Sequence, residues 1–165
     1  MKTMLMVEFG DEKAADIVER EIETRFGLQT RVLKAAMPRV RTRGWQVNGE
    51  DLLSEVSRLR ENKESDFAIG FVKDDLYVPD MNFVFGMATR EGRSALVSSH
   101  RLASPQPGVF RDRMTKEVMH ELGHVFGTGH CDDIRCVMHF SNTLADTDAK
   151  GSTPCSKCKA RLTVP

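Results

Sequence analysis

The first apolar run, Thr3-Met4-Leu5-Met6-Val7-Glu8-Phe9, is short and nearly continuous, and it predicts a buried β-strand that Gly10 ends. Asp11 stands where a helix N-cap belongs. Ala14, Val18, Ile22 and Phe26 then recur every four residues along one helical face, and Gly27 suits the residue that closes a helix. Residues 28–36 predict a second strand, and Pro38 to Gly49 a loop. A second helix is expected over 50–63, with Leu52, Val56 and Leu59 inward. Residues 66–72 predict a third strand, and Leu76 to Asp80 a short extension into a turn. Asn82 to Ala88 and Ser94 to Ser99 predict two further strands, joined by Arg90-Glu91-Gly92. Residues 101–110, with Pro105, Pro107 and Gly108, predict a loop, and a long helix follows over 111–126. Beyond it the chain is turn-rich as far as Cys155, with a short helix expected over 156–162. This alternation of strands and helices predicts an α/β chain of the α+β kind, a mixed twisted sheet with packed helices.

The 165 residues suit one domain. Lys plus Arg and Asp plus Glu each number 24, so the formal net charge is zero, which speaks against a polybasic nucleic-acid or membrane binder. Apolar content of 40% is enough for a packed core, and disorder is not expected. No apolar run approaches the roughly 20 residues of a membrane helix, and the first one is too short for a signal-peptide core, so a cytoplasmic address is expected. Arg39, Arg41, Arg43 and Trp45 interleave charge and aromatic surface; a nucleic-acid contact is one reading, a solvated loop the expected one. His100 and Arg101 are expected to be ordinary surface residues.

The chemistry is concentrated late in the chain. On a helix over 111–126, Met114, Val118, Leu122, Val125 and Phe126 share one arc, and His120 and His124 lie on the other side. Imidazoles at i and i+4 are near enough to reach one metal ion. Gly127 allows a sharp turn, after which His130 can come round as a third ligand. Three histidines leave one tetrahedral position open, the mark of a catalytic rather than a structural zinc. Glu121 is offset by about 100° from His120, poorly aimed as a ligand and well aimed at a water, for which it is the candidate general base. Together these residues spell H-E-x-x-H-x-x-G-x-x-H, the extended motif of the metzincin zinc proteases. The plainer readings are solvent-facing histidines, or a zinc site with no turnover. Glu117, one turn earlier, either shapes the pocket or pairs with a Lys or Arg, and a structural role is expected.

Cys131, Cys136, Cys155 and Cys158 have the spacing C-x₄-C followed by C-x₂-C, which can close a thiolate tetrahedron around a structural zinc. Two disulfides and an iron–sulfur cluster are the alternatives.

The stretch H-E-L-G-H-x-x-G-x-x-H-C-x₄-C-x-M followed by C-x-x-C resembles the archaemetzincins, as do Asp75 to Pro79, Asn82 to Gly86 and Val137 to Asn142. The resemblance implies a minimal metzincin-like fold: a sheet-bearing upper subdomain (about 1–127), an active-site helix and a small lower subdomain (about 128–165). It implies a catalytic zinc on His120, His124 and His130, with Glu121 as general base, and a structural zinc on Cys131, Cys136, Cys155 and Cys158. Met138 matches the methionine of the family's Met-turn, and 82–88 the strand that forms the upper rim of the cleft, where an extended peptide could add as a strand. No tyrosine follows Met138, so oxyanion stabilisation would rest on zinc, backbone amides or His139, which is otherwise expected to be a partly exposed turn residue.

The expected function is that of a zinc metallopeptidase acting on peptides or proteins, a monomer with neither nucleic-acid nor membrane partner. The alternatives are a zinc-stabilised peptide-binding module with little or no catalysis, and a nucleic-acid-binding zinc module built on the C-x-x-C half.

Overall fold

The computed structural model describes residues 1–10 and 12–164; the Asp11 cap lies outside the described residues. The elements are β1 (Thr3–Phe9), α1 (Ala15–Phe26), β2 (Gln29–Ala35), β3 (Thr42–Arg43), β4 (Gln46–Asn48), α2 (Gly49–Asn62), β5 (Phe67–Val72), β6 (Leu76–Val78), β7 (Met81–Val84), β8 (Gly86–Thr89), β9 (Ser94–Ser98), α3 (Pro107–Val125), α4 (Leu144–Ala149) and α5 (Ser156–Arg161).

The main sheet has the order β2-β1-β5-β9-β8. Its first four strands are parallel, with Val7 opposite Gly70 and Gly70 opposite Leu96, whereas β8 runs antiparallel to β9. Helices cover both faces, which is why β1 and β5 are apolar almost throughout. Met4, Met6, Ile69 and Val97 pack towards α1 and α3; Leu5, Val7, Phe9 and Leu96 pack towards α2. At Gly70 a Cβ would come within 2.5 Å of Val56, so α2 rests on bare backbone there. The α1 N-terminus is capped from β1: the buried Glu8 carboxylate accepts a 2.9 Å hydrogen bond from the Ala15 N–H. Gly27 closes α1 in the left-handed conformation.

A second small sheet has the order β3-β4-β6-β7; its strands β3 and β4 fall in the stretch Pro38 to Gly49 that is expected to be a loop. The apolar run 82–88 does not form one strand. It divides at Phe85: β7 pairs with β6 in the small sheet, and β8 pairs with β9 in the main one. Three further expectations are corrected. The long helix starts at Pro107 rather than 111, because a proline at the first helical position lacks only an N–H that would have no partner. The turn-rich segment contains α4, held by a capping box between Thr143 and Asp146. Arg101 is no ordinary surface residue: it binds both oxygens of Asp75 at 2.8 Å and lies 3.8 Å over the Phe83 ring. None of the described helices is long and apolar enough to cross a membrane.

Candidate metal centres and cleft

Helix α3 is buried on nearly every side from Met114 to Val125, so its histidines face protein and a cleft rather than open solvent. Gly127 sits at φ 95°, a left-handed value that bulky residues avoid, and reverses the chain so that His130 returns to the helix. The ring centroids of His120, His124 and His130 lie 4.7 to 5.3 Å apart, and one nitrogen from each falls within 4.8 Å of the others.

The tautomers follow from the carbonyls around them. His120 Nδ1–H donates to Val137 O at 2.7 Å, and His124 Nδ1–H to Thr128 O at 2.8 Å. Both Nε2 atoms therefore present lone pairs, and they face each other 3.1 Å apart. Burial, with Lys150 adding to it, pushes the His120 imidazole down to about 3; burial also lowers His124 and His130. Neutral rings with opposed lone pairs repel unless a cation stands between them, and imidazole nitrogen is a favoured zinc donor. The residues present thus fit a zinc ion.

Glu121 is buried beside this trio, and its carboxyl is pushed well above the usual range by burial first and by Glu117 second, with Lys150 opposing. Gly86 of β8 lies directly over it: a Cβ there would be 2.9 Å from Glu121 Cγ. Below the helix, Met138 lies against Gly123, where a Cβ would come within 2.3 Å of the sulfur. The Met138 side chain thus packs on the backbone of α3 at the residue before His124.

His139, weighed as an oxyanion group, points elsewhere. Its Nδ1–H donates to Cys131 O at 2.8 Å, and it is not among the residues lining the cleft. Glu117 pairs with Lys150 at 3.2 Å, in line with the structural role expected for it. Lys150, the partner of Glu117, lies 33 positions further along the chain, beyond any local motif.

The cleft encloses about 600 Å³ between the β7–β8 rim above and Phe140, Ser141 and Asn142 below. Arg43 Nη2 donates to the carbonyls of Met81 (3.0 Å) and Asn82 (2.9 Å), and its guanidinium lies 4.3 Å over Tyr77. Arg41 is engaged with Asp51. Two arginines of the basic stretch are thus engaged in contacts within the chain although both stay exposed, and Trp45 is 77% exposed.

Cys131, Cys136, Cys155 and Cys158 form one cluster, with all four sulfurs within 4.8 Å of one another and the Cys131–Cys155 pair 3.8 Å apart. They are free thiols in a single group rather than two bonded pairs. Cys136 Sγ accepts hydrogen bonds from the amides of Met138 (3.4 Å) and Cys155 (3.2 Å), which orient it and favour a thiolate. The Cys155 thiol is lowered to about 7, chiefly by a hydrogen bond from the Cys158 amide, whereas burial raises Cys136 and Cys158.

The family model for peptidase family M54 matches residues 14–164. Among curated relatives, a Methanopyrus kandleri protein named archaemetzincin is 48% identical over 99 residues, covering 60% of this chain and 57% of its own. A Thermococcus kodakarensis archaemetzincin is 45% identical over 123 residues, covering 71% and 66%. These matches span less than two thirds of either relative's length. Two crystal structures share the α/β fold. The Archaeoglobus fulgidus archaemetzincin, solved with malonate, has a TM-score of 0.86 at 28% identity and covers 98% of this chain and 100% of its own. The Methanopyrus kandleri archaemetzincin has a TM-score of 0.84 at 34% identity, with 96% and 92% covered. With the motif, the fold and a family match spanning nearly its whole length, the chain belongs to peptidase family M54.

Proposed function

We propose that the chain is a zinc-dependent metallopeptidase of the metzincin type. The observation that carries this reading is the opposed pair of neutral Nε2 atoms on His120 and His124, with His130 beside them and an open cleft in front. His120, His124 and His130 would hold the ion. Zinc there would supply the Lewis acidity that polarises a peptide carbonyl and acidifies water.

The remaining work falls to the chain's own groups. Glu121 takes a proton from water and later delivers it to the leaving amine. The main-chain edge of β8 orients the substrate. The Ser98 N–H donates to Phe85 O, so Phe85, Met87 and Thr89 turn their polar groups towards β9. Gly86 and Ala88 then turn theirs outward along the free edge of the sheet, where an extended peptide can pair with them. Gly86 stands over Glu121, so a peptide paired there brings its backbone to the base. The Ser141 hydroxyl, in the lower wall, is buried without a hydrogen-bond partner and is available to substrate.

The four cysteines are read as ligands of a second, structural zinc that ties the segment after α3 to α5. We read residues 1–165 as one catalytic domain, upper part about 1–127 and lower part about 128–165. The protein is taken as a cytoplasmic monomer, and four clustered free thiols suit a reducing compartment.

Metal analysis of the purified protein beside a peptide-library digest tests this reading. Two zinc ions per chain with cleavage support it. Two zinc ions with no cleavage of any peptide would leave the peptide-binding module in its place.

A further inference from the structure

Lys150 is a buried cation that the catalytic scheme does not use. Its side chain is wholly enclosed, and the Glu117 side chain is 3% exposed. Nζ lies 3.2 Å from Glu117 Oε1, donates to His139 O at 3.3 Å and lies 3.5 Å from His120 Nδ1. Thr147 Oγ1 donates to the same Glu117 oxygen at 3.0 Å. A lysine and a threonine, both from the segment after the Met-turn, thus converge on one carboxylate of α3.

That carboxylate lines the same cleft as His120, Glu121 and His124. It lies three residues before His120 and two helical turns before His124, on the same stripe of the helix. Glu-x-x-His on one helix is a spacing by which both side chains reach a single metal site in carboxylate-bridged bundle proteins. Carboxylate oxygen is also an accepted zinc donor. Glu117 thus has the donor chemistry and the helical spacing of a further ligand, while the Lys150 contact holds it on the Nδ1 side of His120, outside the group formed by the three histidines.

We propose that Lys150 is a positioning residue that, with Thr147, holds the Glu117 carboxylate away from the three-histidine site and so keeps that site open. The pair also explains why a charged lysine is kept in a buried place. A buried ion pair is a weak source of stability, but removing one partner frees the other. The inference rests on the three-histidine reading above.

The test uses the full chain with zinc in the thiolate site and cobalt(II) exchanged into the histidine site. In Lys150→Met, Glu117 is released to the ion. The visible cobalt bands weaken and shift as the coordination number rises, and kcat falls roughly 10- to 100-fold, as for other residues that orient a metal site, with KM little changed. In Glu117→Gln/Lys150→Met the cobalt spectrum returns to that of wild type. Thr147→Val removes the other tether without stranding a buried charge and shifts the spectrum in the same direction by less, which keeps the test open should K150M fail to fold. Wild-type bands in both K150M and T147V, or an altered spectrum that persists in the double variant, would overturn the proposal, because a merely structural lysine changes thermal stability and not the bands. A wild-type chain that takes up no ion at the histidines would overturn this proposal and the three-histidine reading together.

Discussion

Gly86 and Glu121 are in contact across the cleft: a Cβ at position 86 would lie 2.9 Å from Glu121 Cγ, 3.0 Å from its Oε1 and 2.7 Å from the Leu96 carbonyl oxygen. An added methyl meets the Leu96 carbonyl and the Glu121 side chain together, so it has to shift the β8 backbone at Gly86 as well as displace Glu121. Gly86→Ala should lower kcat/KM about 100-fold, since a misplacement near 1 Å costs that much at a reacting centre. Zinc content should be unchanged. Equal kcat/KM for G86A and wild type would remove the close approach from the mechanism.

Gly123 and Met138 form a second such contact, with a prospective Cβ 2.3 Å from the sulfur. Gly123→Ala overpacks this contact and should cost about 1–3 kcal/mol. Trimming the neighbour relieves the clash, so Gly123→Ala/Met138→Ala should cost less than the sum of the single changes. Additive losses in denaturant unfolding would show that the two side chains do not compete for one space.

Legibility in the sequence followed the range over which each feature is determined. β1 and β5 are sandwiched between helices, so their apolar runs are local and readable. The histidine trio was equally readable, because a helical spacing and one glycine turn bring it together. The division of 82–88 at Phe85 was not, since both halves are half-buried and only the pairing partner changes. β3 and β4, two and three residues long, are too short to carry a pattern. Pro105, Pro107 and Gly108 disguised the start of α3. Arg101, Arg43 and Lys150 find their partners far along the chain, and no local rule reports such pairs.

The thiolate cluster should behave as a folding element. Cys136→Ser or Cys158→Ser should lower the zinc stoichiometry by one and loosen the segment from 131 to 158. Zinc binding is worth about 10–16 kcal/mol in small thiolate–histidine fingers, so its loss should exceed the effect of any single packing change. Hydrogen exchange over α5 reads the outcome. Full protection of α5 in C158S would contradict the assignment.

Acid should act on the ion-free chain through His120. Its folded value of about 3 lies below the value of about 6.5 expected when unfolded. Between those values the unfolded state binds a proton that the folded state refuses, so stability falls as pH falls. Glu121 works in the opposite sense: its value is raised on folding, so its contribution is lost as pH rises above the unfolded value. Comparison with His120→Gln isolates the histidine. Chelator-treated wild type should lose more stability than H120Q on going from pH 6.5 to 4, and parallel curves would contradict the depressed imidazole.

The most direct measurement pairs metal content with turnover in Glu121→Gln. The variant keeps the size and burial of the side chain and removes only its capacity to take a proton. It should bind as much zinc as wild type and cleave peptides slower by about two to four orders of magnitude, the range assigned to a general acid–base group. A zinc-loaded E121Q chain that hydrolyses peptides at the wild-type rate would contradict the account.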